Sequence, residues 1–211
     1  LPLTQQLSDK RTQSLVYDKA GQLTRILGAN GDITQLTRNR RGQITERIDP
    51  KQRRLRFDYD AFGRLSRLRN EKGEAYQFEY DVLHRLCSEQ DLSGQRKVYA
   101  YDALGQPVTI THYPDRDATA LQRAPIITHF ERDAVGRVLA KLTPDYRTIY
   151  DYTPEQMKIT RVQRAEWVQA QQEQREPEPD KVETLHFEYD ILGRLTAEHN
   201  HGGSYTHHYD A

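Results

Sequence analysis

Four histidines within ten residues, His199, His201, His207 and His208, raise the question of a metal, because imidazole is a common ligand for zinc and copper. Residue alternation puts His199 and His201 on one strand face but splits His207 from His208. With no cysteine among them and no carboxylate fixed beside them, they read as solvated strand histidines, and no metal or cofactor is assigned. Asp58 with Asp60, and Glu188 with Asp190, are carboxylates two residues apart, the spacing of an acid–base pair or a calcium ligand set. The second member of each pair, however, recurs along the chain at a fixed interval, which marks it as structural. Arg38, Arg40 and Arg41, and Arg53, Arg54 and Arg56, could contact phosphate. Acidic residues interleave with them throughout, and 31 Lys+Arg balance 31 Asp+Glu, so nucleic acid is not an expected partner. Cys87 is the single cysteine, and no nucleophile motif or phosphate-binding loop accompanies it. No residue is nominated as catalytic.

What positions these groups is a repeat. Tyr17-Asp18-Lys-Ala-Gly21-Gln-Leu23 returns as Tyr59-Asp60-Ala-Phe-Gly63-Arg64-Leu65 and Tyr189-Asp190-Ile-Leu-Gly193-Arg194-Leu195. Weaker copies are Tyr80-Asp81 with His84 and Leu86, Tyr101-Asp102 with Gly105, Asn39 with Gly42 and Ile44, and Asp133 with Gly136; Tyr209-Asp210 ends the series. Residues 18, 39, 60, 81 and 102 are each 21 apart, and insertions at 112–125 and 161–183 account for the later breaks in register. A second glycine often follows ten residues after the first, as in Gly21 and Gly31, Gly63 and Gly73, and Gly193 and Gly203. Each repeat is therefore two half-units of about ten residues.

A half-unit holds a strand of about six residues and a turn of about four. Leu55, Phe57, Tyr59, then Tyr76, Phe78, Tyr80, then Leu185, Phe187, Tyr189 alternate with polar residues, the period of half-buried strands. Asp or Asn opens each turn by accepting main-chain bonds, and Gly closes it at positive φ. The expected fold is all-β: an antiparallel meander of hairpins in which each Tyr packs beside the Leu six residues on. About sixteen strands at roughly 4.8 Å make a ribbon near 75 Å wide, which is expected to coil into a barrel-like wall or spiral shell. Residues 159–176 form an expected short amphipathic helix, ended by Glu176-Pro177-Glu178-Pro179. Its Trp167 is either a plug over the sheet or an anchor for a partner.

Composition agrees with a thin fold. Only 36% of residues are hydrophobic and the mean hydropathy is −0.93, against roughly 45–50% apolar in an ordinary domain. Thirteen Tyr and zero net charge set the chain apart from disordered sequences. No apolar run approaches a membrane span, and the segment carries no signal peptide.

Tyr-Asp-x-x-Gly-Arg-Leu at this spacing resembles the YD repeat of rearrangement-hot-spot (Rhs) proteins, which is also found in Tc-toxin cocoon components, teneurins and bacterial wall-associated proteins. Arg38 and Arg132 stand where the family has Tyr, His84 stands where it has Gly, and Tyr150–Met157 keeps little of the pattern. The resemblance implies that residues 1–211 are a shell segment of a larger hollow cocoon enclosing a C-terminal toxin. Its partners would be the remaining repeats of the same polypeptide, the toxin domain, and a secretion-system spike protein or chaperone. It implies synthesis in a bacterial cytoplasm, then secretion or delivery to a target cell. Family shells end in paired Asp-Pro-x-Gly-type elements that release the toxin; here only Asp49-Pro50 occurs, without the glycine, and no protease is carried over. The alternative is an extracellular adhesion or carbohydrate-binding module built on the same strands.

Overall fold

A computed structural model describes residues 4–6, 12–114 and 124–209. The chain divides into two units, Leu1–Arg96 and Lys97–Ala211. The first holds β1 (Thr4–Gln6), β2 (Thr12–Tyr17), β3 (Leu23–Leu27), β4 (Ile33–Arg38), β5 (Ile44–Ile48), β6 (Arg54–Tyr59), β7 (Leu65–Arg69), β8 (Ala75–Tyr80) and β9 (Leu86–Gln90). The second holds β10 (Arg96–Tyr101, starting at the boundary), β11 (Pro107–Tyr113), β12 (Ile126–Arg132), β13 (Val138–Leu142), β14 (Tyr146–Tyr152) and β15 (Gln156–Gln163). It continues with the helix α1 (Arg164–Glu173), a 3-10 turn at Pro179–Lys181, β16 (Val182–Tyr189), β17 (Leu195–Asn200) and β18 (Gly203–Thr206). The fold is the expected all-β array of hairpins: within each unit, strands adjacent in sequence pair antiparallel. There are eighteen strands among the described residues, slightly more than the repeat arithmetic suggests.

The array is one sheet thick. Among the described residues the buried apolar side chains are Ala140, Val162, Ala170 and Ala197, and Val162 is the one large group fully enclosed. An ordinary domain covers a sheet with a second layer. Here the apolar face is instead shared between neighbouring strands, as in the rung Phe57–Leu68–Tyr76 across β6, β7 and β8 and the stacked pair Tyr76 and Phe78, 5.0 Å apart.

The Tyr–Asp turns all lie on one edge of each meander, and those hairpins carry a feature that the other hairpins with a defined register lack. Opposite Val16 and Tyr17 the register runs to Arg25 and then to Leu23, leaving Thr24 as an extra residue. The same two-against-one bulge recurs beside Arg38, Tyr59, Tyr80, Arg132 and Tyr189. The hairpins β3–β4, β5–β6 and β7–β8, which turn on the opposite edge, stay in register. A bulge bends its strand and raises the local twist, so each repeat bends at its Tyr–Asp end.

The helix departs from the expected one. Ile159 and Val162, both inside the expected helical segment, belong to β15, facing Tyr150 and Leu185, and Arg147 and Val182, respectively. The helix begins only at Arg164, and its buried positions are Glu166 and Ala170, while Ala165 and Val168 are exposed. It is therefore not amphipathic in the expected sense. Trp167 lies over the sheet, with the Arg147 guanidinium 4.8 Å from its ring centroid. Of the insertion expected at 161–183, residues 161–163 and 182–183 are strand; of the one expected at 112–125, residues 112 and 113 belong to β11 and residues 115–123 lie outside the described residues.

Candidate functional site

The unit that repeats is the Tyr–Asp turn, and its chemistry is that of a clamp. In the turn after β6, the Asp60 N–H donates to the Arg64 carbonyl and the Gly63 N–H to the Asp60 carbonyl. Asp60 Oδ1 accepts the N–H groups of Phe62 and Arg64, both at 2.9 Å. Identical bonds form at Asp18, Asp81, Asp102, Asp133 and Asp190, with Gly21, Gly63, Gly105, Gly136 and Gly193 closing at φ between 76° and 90°. His84 takes the glycine's place at φ 65°. The register places Tyr17 opposite Leu23, Tyr59 opposite Leu65, Tyr80 opposite Leu86 and Tyr189 opposite Leu195. Asp210 lies outside the described residues.

The residue four after the Asp had no assigned role, and it proves central. In the turns of Asp49, Asp60, Asp81, Asp133 and Asp190 it is arginine, whose Nε donates to Oδ2 of the Asp at 2.7 Å. Where the turn opens with Asn, the fourth residue accepts instead: Asn39 Nδ2 donates to Gln43 Oε1 and Asn70 Nδ2 to Glu74 Oε2. Asp49, Asp60, Asp81, Asp133 and Asp190 take a cationic donor, Asn39 and Asn70 take an acceptor, and Asp18, Asp91 and Asp102 have glutamine at that position. Arg never follows an Asn turn at that position and follows five of the Asp turns, and this one-sided recurrence is the signal in the sequence that would have revealed the clamp.

These bonds hold the carboxyls of Asp49, Asp60, Asp81, Asp133 and Asp190 below the usual aspartate range. At Asp49 and Asp133 the arginine side-chain hydrogen bond is the main cause, and at Asp81 and Asp190 it is the arginine main-chain N–H. At Asp60 burial acts in the opposite direction and is outweighed by both Arg64 bonds. Because the folded values are depressed, their contribution to stability is complete above the ordinary Asp pKa of about 4. It is lost as pH falls through the folded values. The urea midpoint is thus expected to drop on acidification from pH 5 toward pH 2, and Asp60→Asn with Asp81→Asn should flatten that slope. An unchanged slope would contradict the clamp.

Tyrosine ties successive repeats together. Tyr59 Oη donates to the Ile44 carbonyl at 2.8 Å, Tyr80 to Leu65 at 2.9 Å and Tyr209 to Leu195 at 2.8 Å; each acceptor occupies the Leu position of the preceding repeat. The arginines in tyrosine positions reach the same place: Arg38 donates to the Leu23 carbonyl and Arg132 to that of Pro107. Each also donates to the carbonyl of its own turn glycine, Gly42 or Gly136. The preceding repeat's clamp arginine lies over the tyrosine ring, with Arg64 4.4 Å from Tyr80 and Arg194 4.8 Å from Tyr209.

The other candidate groups are dispersed into this framework. Asp58 pairs with Arg69 at 2.8 Å, whereas Asp60 belongs to the turn; Glu188 lies 3.4 Å from His199 and Asp190 is clamped by Arg194. Neither pair shares a strand face, because the second carboxylate has already left the strand. His201 sits in the turn after β17, and His207 and His208 follow the last strand, so the expected strand-face arrangement of the four does not form. Of the basic clusters, Arg53 clamps Asp49, Arg56 pairs with Glu46, and Arg41 donates to the Ala61 carbonyl. Asp49, weighed above as a cleavage element, is the buried turn residue of the β5–β6 hairpin. In that turn Gln52 holds φ 62° in the glycine position. Gln52→Gly is expected to raise stability by roughly 0.5–1 kcal/mol in urea unfolding, since a left-handed conformation strains every residue with a Cβ. Two further turns use a different device: Thr143-Pro144-Asp145 and Thr153-Pro154-Glu155 close β13–β14 and β14–β15, with a threonine N–H donating to the carbonyl three residues on. Proline presets the turn's first corner, and the twice-occurring Thr-Pro-acid is the sequence mark of these turns.

A one-layer ribbon of hairpins, tied repeat to repeat through clamped turns, defines a structural repeat protein. The chain carries Rhs, or YD, repeats. The RHS Repeat family model matches residues 17–54 and 59–96. Over 205 residues the chain is 32% identical to double-stranded DNA deaminase toxin A of Burkholderia cenocepacia (strain H111), covering 93% of this chain and 13% of that protein. In fold it is similar to the crystal structure of TcdB2-TccC3 without its hypervariable C-terminal region, with a TM-score of 0.69, 17% identity, and coverage of 93% of this chain and 12% of that one. It is likewise similar to the Photorhabdus luminescens Tc holotoxin pore, with a TM-score of 0.65, 15% identity, and coverage of 93% and 11%. The chain thus spans about an eighth of the relatives it matches. No helix among the described residues is long and apolar enough to cross a membrane.

Proposed function

We propose that this segment is a stretch of wall in a hollow shell that encloses a toxin domain carried C-terminally on the same polypeptide. The observation that carries this is the single-layer sheet: a ribbon that leaves almost every large side chain only partly covered suits a wall with solvent or cargo on its inner side. The matched relative is by name a toxin, which supports cargo of that class. The segment itself performs no reaction, since its candidate acids and bases are committed to turns and cross-strand pairs. Its partners are the other repeats of the polypeptide, the cargo, and a secretion-system spike protein or chaperone. The protein is made in a bacterial cytoplasm and then secreted or delivered to a target cell.

Small-angle scattering or electron microscopy of the complete parent polypeptide tests this. A hollow particle whose C-terminal domain resists protease until the shell is unfolded is expected. A compact solid particle of the same mass, or a C-terminal domain cleaved as fast as in isolation, would overturn the reading.

A further inference from the structure

His199 has an imidazole partner from a different strand. His186 of β16 lies directly across from it on β17, and the two ring centroids are 5.9 Å apart. Two residues after His186, and so on the same strand face, Glu188 places Oε1 3.4 Å from His199 Nε2. On the β15 side, Gln156 Oε1 lies 3.2 Å from His186 Nε2. His199 Nδ1 is 2.8 Å from Ser204 Oγ; when Nδ1 donates to that hydroxyl, Nε2 carries its lone pair on the side of the carboxylate. The two rings border a cavity of about 340 Å³ that Thr184, Asn200 and His201 also line.

We infer that His186 and His199 form a two-imidazole chelate for a divalent transition-metal ion of the zinc and copper class, with Glu188 as the third donor. Imidazole suits ions of this class, and zinc also accepts carboxylate oxygen. The spacing fits one ion. With metal–nitrogen bonds of about 2.0–2.1 Å, the centroids of two imidazoles on one ion lie roughly 5.2 Å apart at a tetrahedral angle and roughly 6.4 Å apart at most. The observed rings fall between these values. Two donors on one tetrahedral ion are about 3.3 Å apart, close to the separation of His199 Nε2 from Glu188 Oε1. Ser204 supplies the outer hydrogen bond that orients a ligating histidine. Among the described residues no three histidine, cysteine or acidic side chains already form a metal-binding group. His186 Nε2 therefore has to exchange its Gln156 contact for the ion, and water fills the remaining positions. Lys158, across from His186 on β15, is exposed, so its charge stays in solvent. The bound ion ties β16 to β17 just after the inserted helix. The chelate needs only this hairpin and is independent of the shell reading.

The experiment uses the full parent polypeptide after treatment with a chelator. Calorimetric titration with zinc chloride is expected to show one equivalent more for the wild type than for His186→Ala or His199→Ala. Ser204→Ala, which removes only the outer bond, should weaken that equivalent about tenfold. His207 lies 3.7 Å from Glu198 but stands outside the chelate, so His207→Ala should leave the titration unchanged. To separate loss of a ligand from damage to the hairpin, the wild-type protein is also mapped with diethylpyrocarbonate. Zinc at ten times its dissociation constant should slow modification of His186 and His199 roughly tenfold, with His207 and His208 modified as before. Equal zinc stoichiometry in the wild type and both alanine variants would overturn the chelate. So would modification of His186 and His199 at a rate indifferent to zinc, or equal protection of all four histidines, which is the mark of an adventitious ion only.

Discussion

Tyr80→Ala is expected to destabilise the first unit by roughly 3 kcal/mol, the range for deleting a packed aromatic ring. The ring sits opposite Leu86, under the Arg64 guanidinium, and its hydroxyl closes on the Leu65 carbonyl. Tyr80→Phe keeps the packing and loses only the bond, so about 1 kcal/mol is expected. Arginine is the natural alternative at this position, as Arg38 and Arg132 show, but in both cases the clamp residue of the preceding repeat is glutamine, Gln22 or Gln106. At position 80 that residue is Arg64. Tyr80→Arg should therefore cost nearly as much as alanine by itself and be partly rescued by Arg64→Gln, with a coupling of about 1 kcal/mol in a double-mutant cycle. Additive effects in urea unfolding would mean that arginine and tyrosine do not use this site interchangeably.

Gly63→Val should cost about 2–3 kcal/mol, and Gly73→Val about 1–2 kcal/mol. Both glycines hold φ above 80°, where a β-branched side chain is strained. They differ in surroundings: a Cβ at Gly73 meets nothing within 4 Å, whereas one at Gly63 lies 3.2 Å from Gln43 Nε2. That nitrogen donates to the Gly63 carbonyl at 2.7 Å, linking one repeat to the next. The difference between the two variants, about 1 kcal/mol, measures that link in chemical denaturation. Equal costs would show that the Gln43 bond adds nothing to the array.

The hairpin array was legible because two independent signals coincide in each half-unit: alternation over residues such as Leu55, Phe57 and Tyr59, and an Asp-to-Gly turn at a constant 21-residue interval. Neither depends on contacts far along the chain. The helix was misplaced because Ile159 and Val162, three residues apart, fit a helical period and break the two-residue alternation, and only pairing with β14 and β16 makes both of them strand. The bulge beside each tyrosine was not legible, since it is a property of how two strands register. The exchange of Arg38 for tyrosine was seen only as a departure. That a guanidinium reaches the same carbonyl as a phenol follows from side-chain length and needs the neighbouring strand to be in place.

Tyr59, Tyr80, Arg38 and Arg132 all send their donors back to the preceding repeat. No acceptor among these waits on chain that is still to come. The turns that close successive hairpins are short, which favours local folding, and synthesis delivers the N-terminal repeats first. Each hairpin leaving the ribosome thus meets a finished ledge with its carbonyls already presented, so the ribbon is laid down in the order in which it is translated.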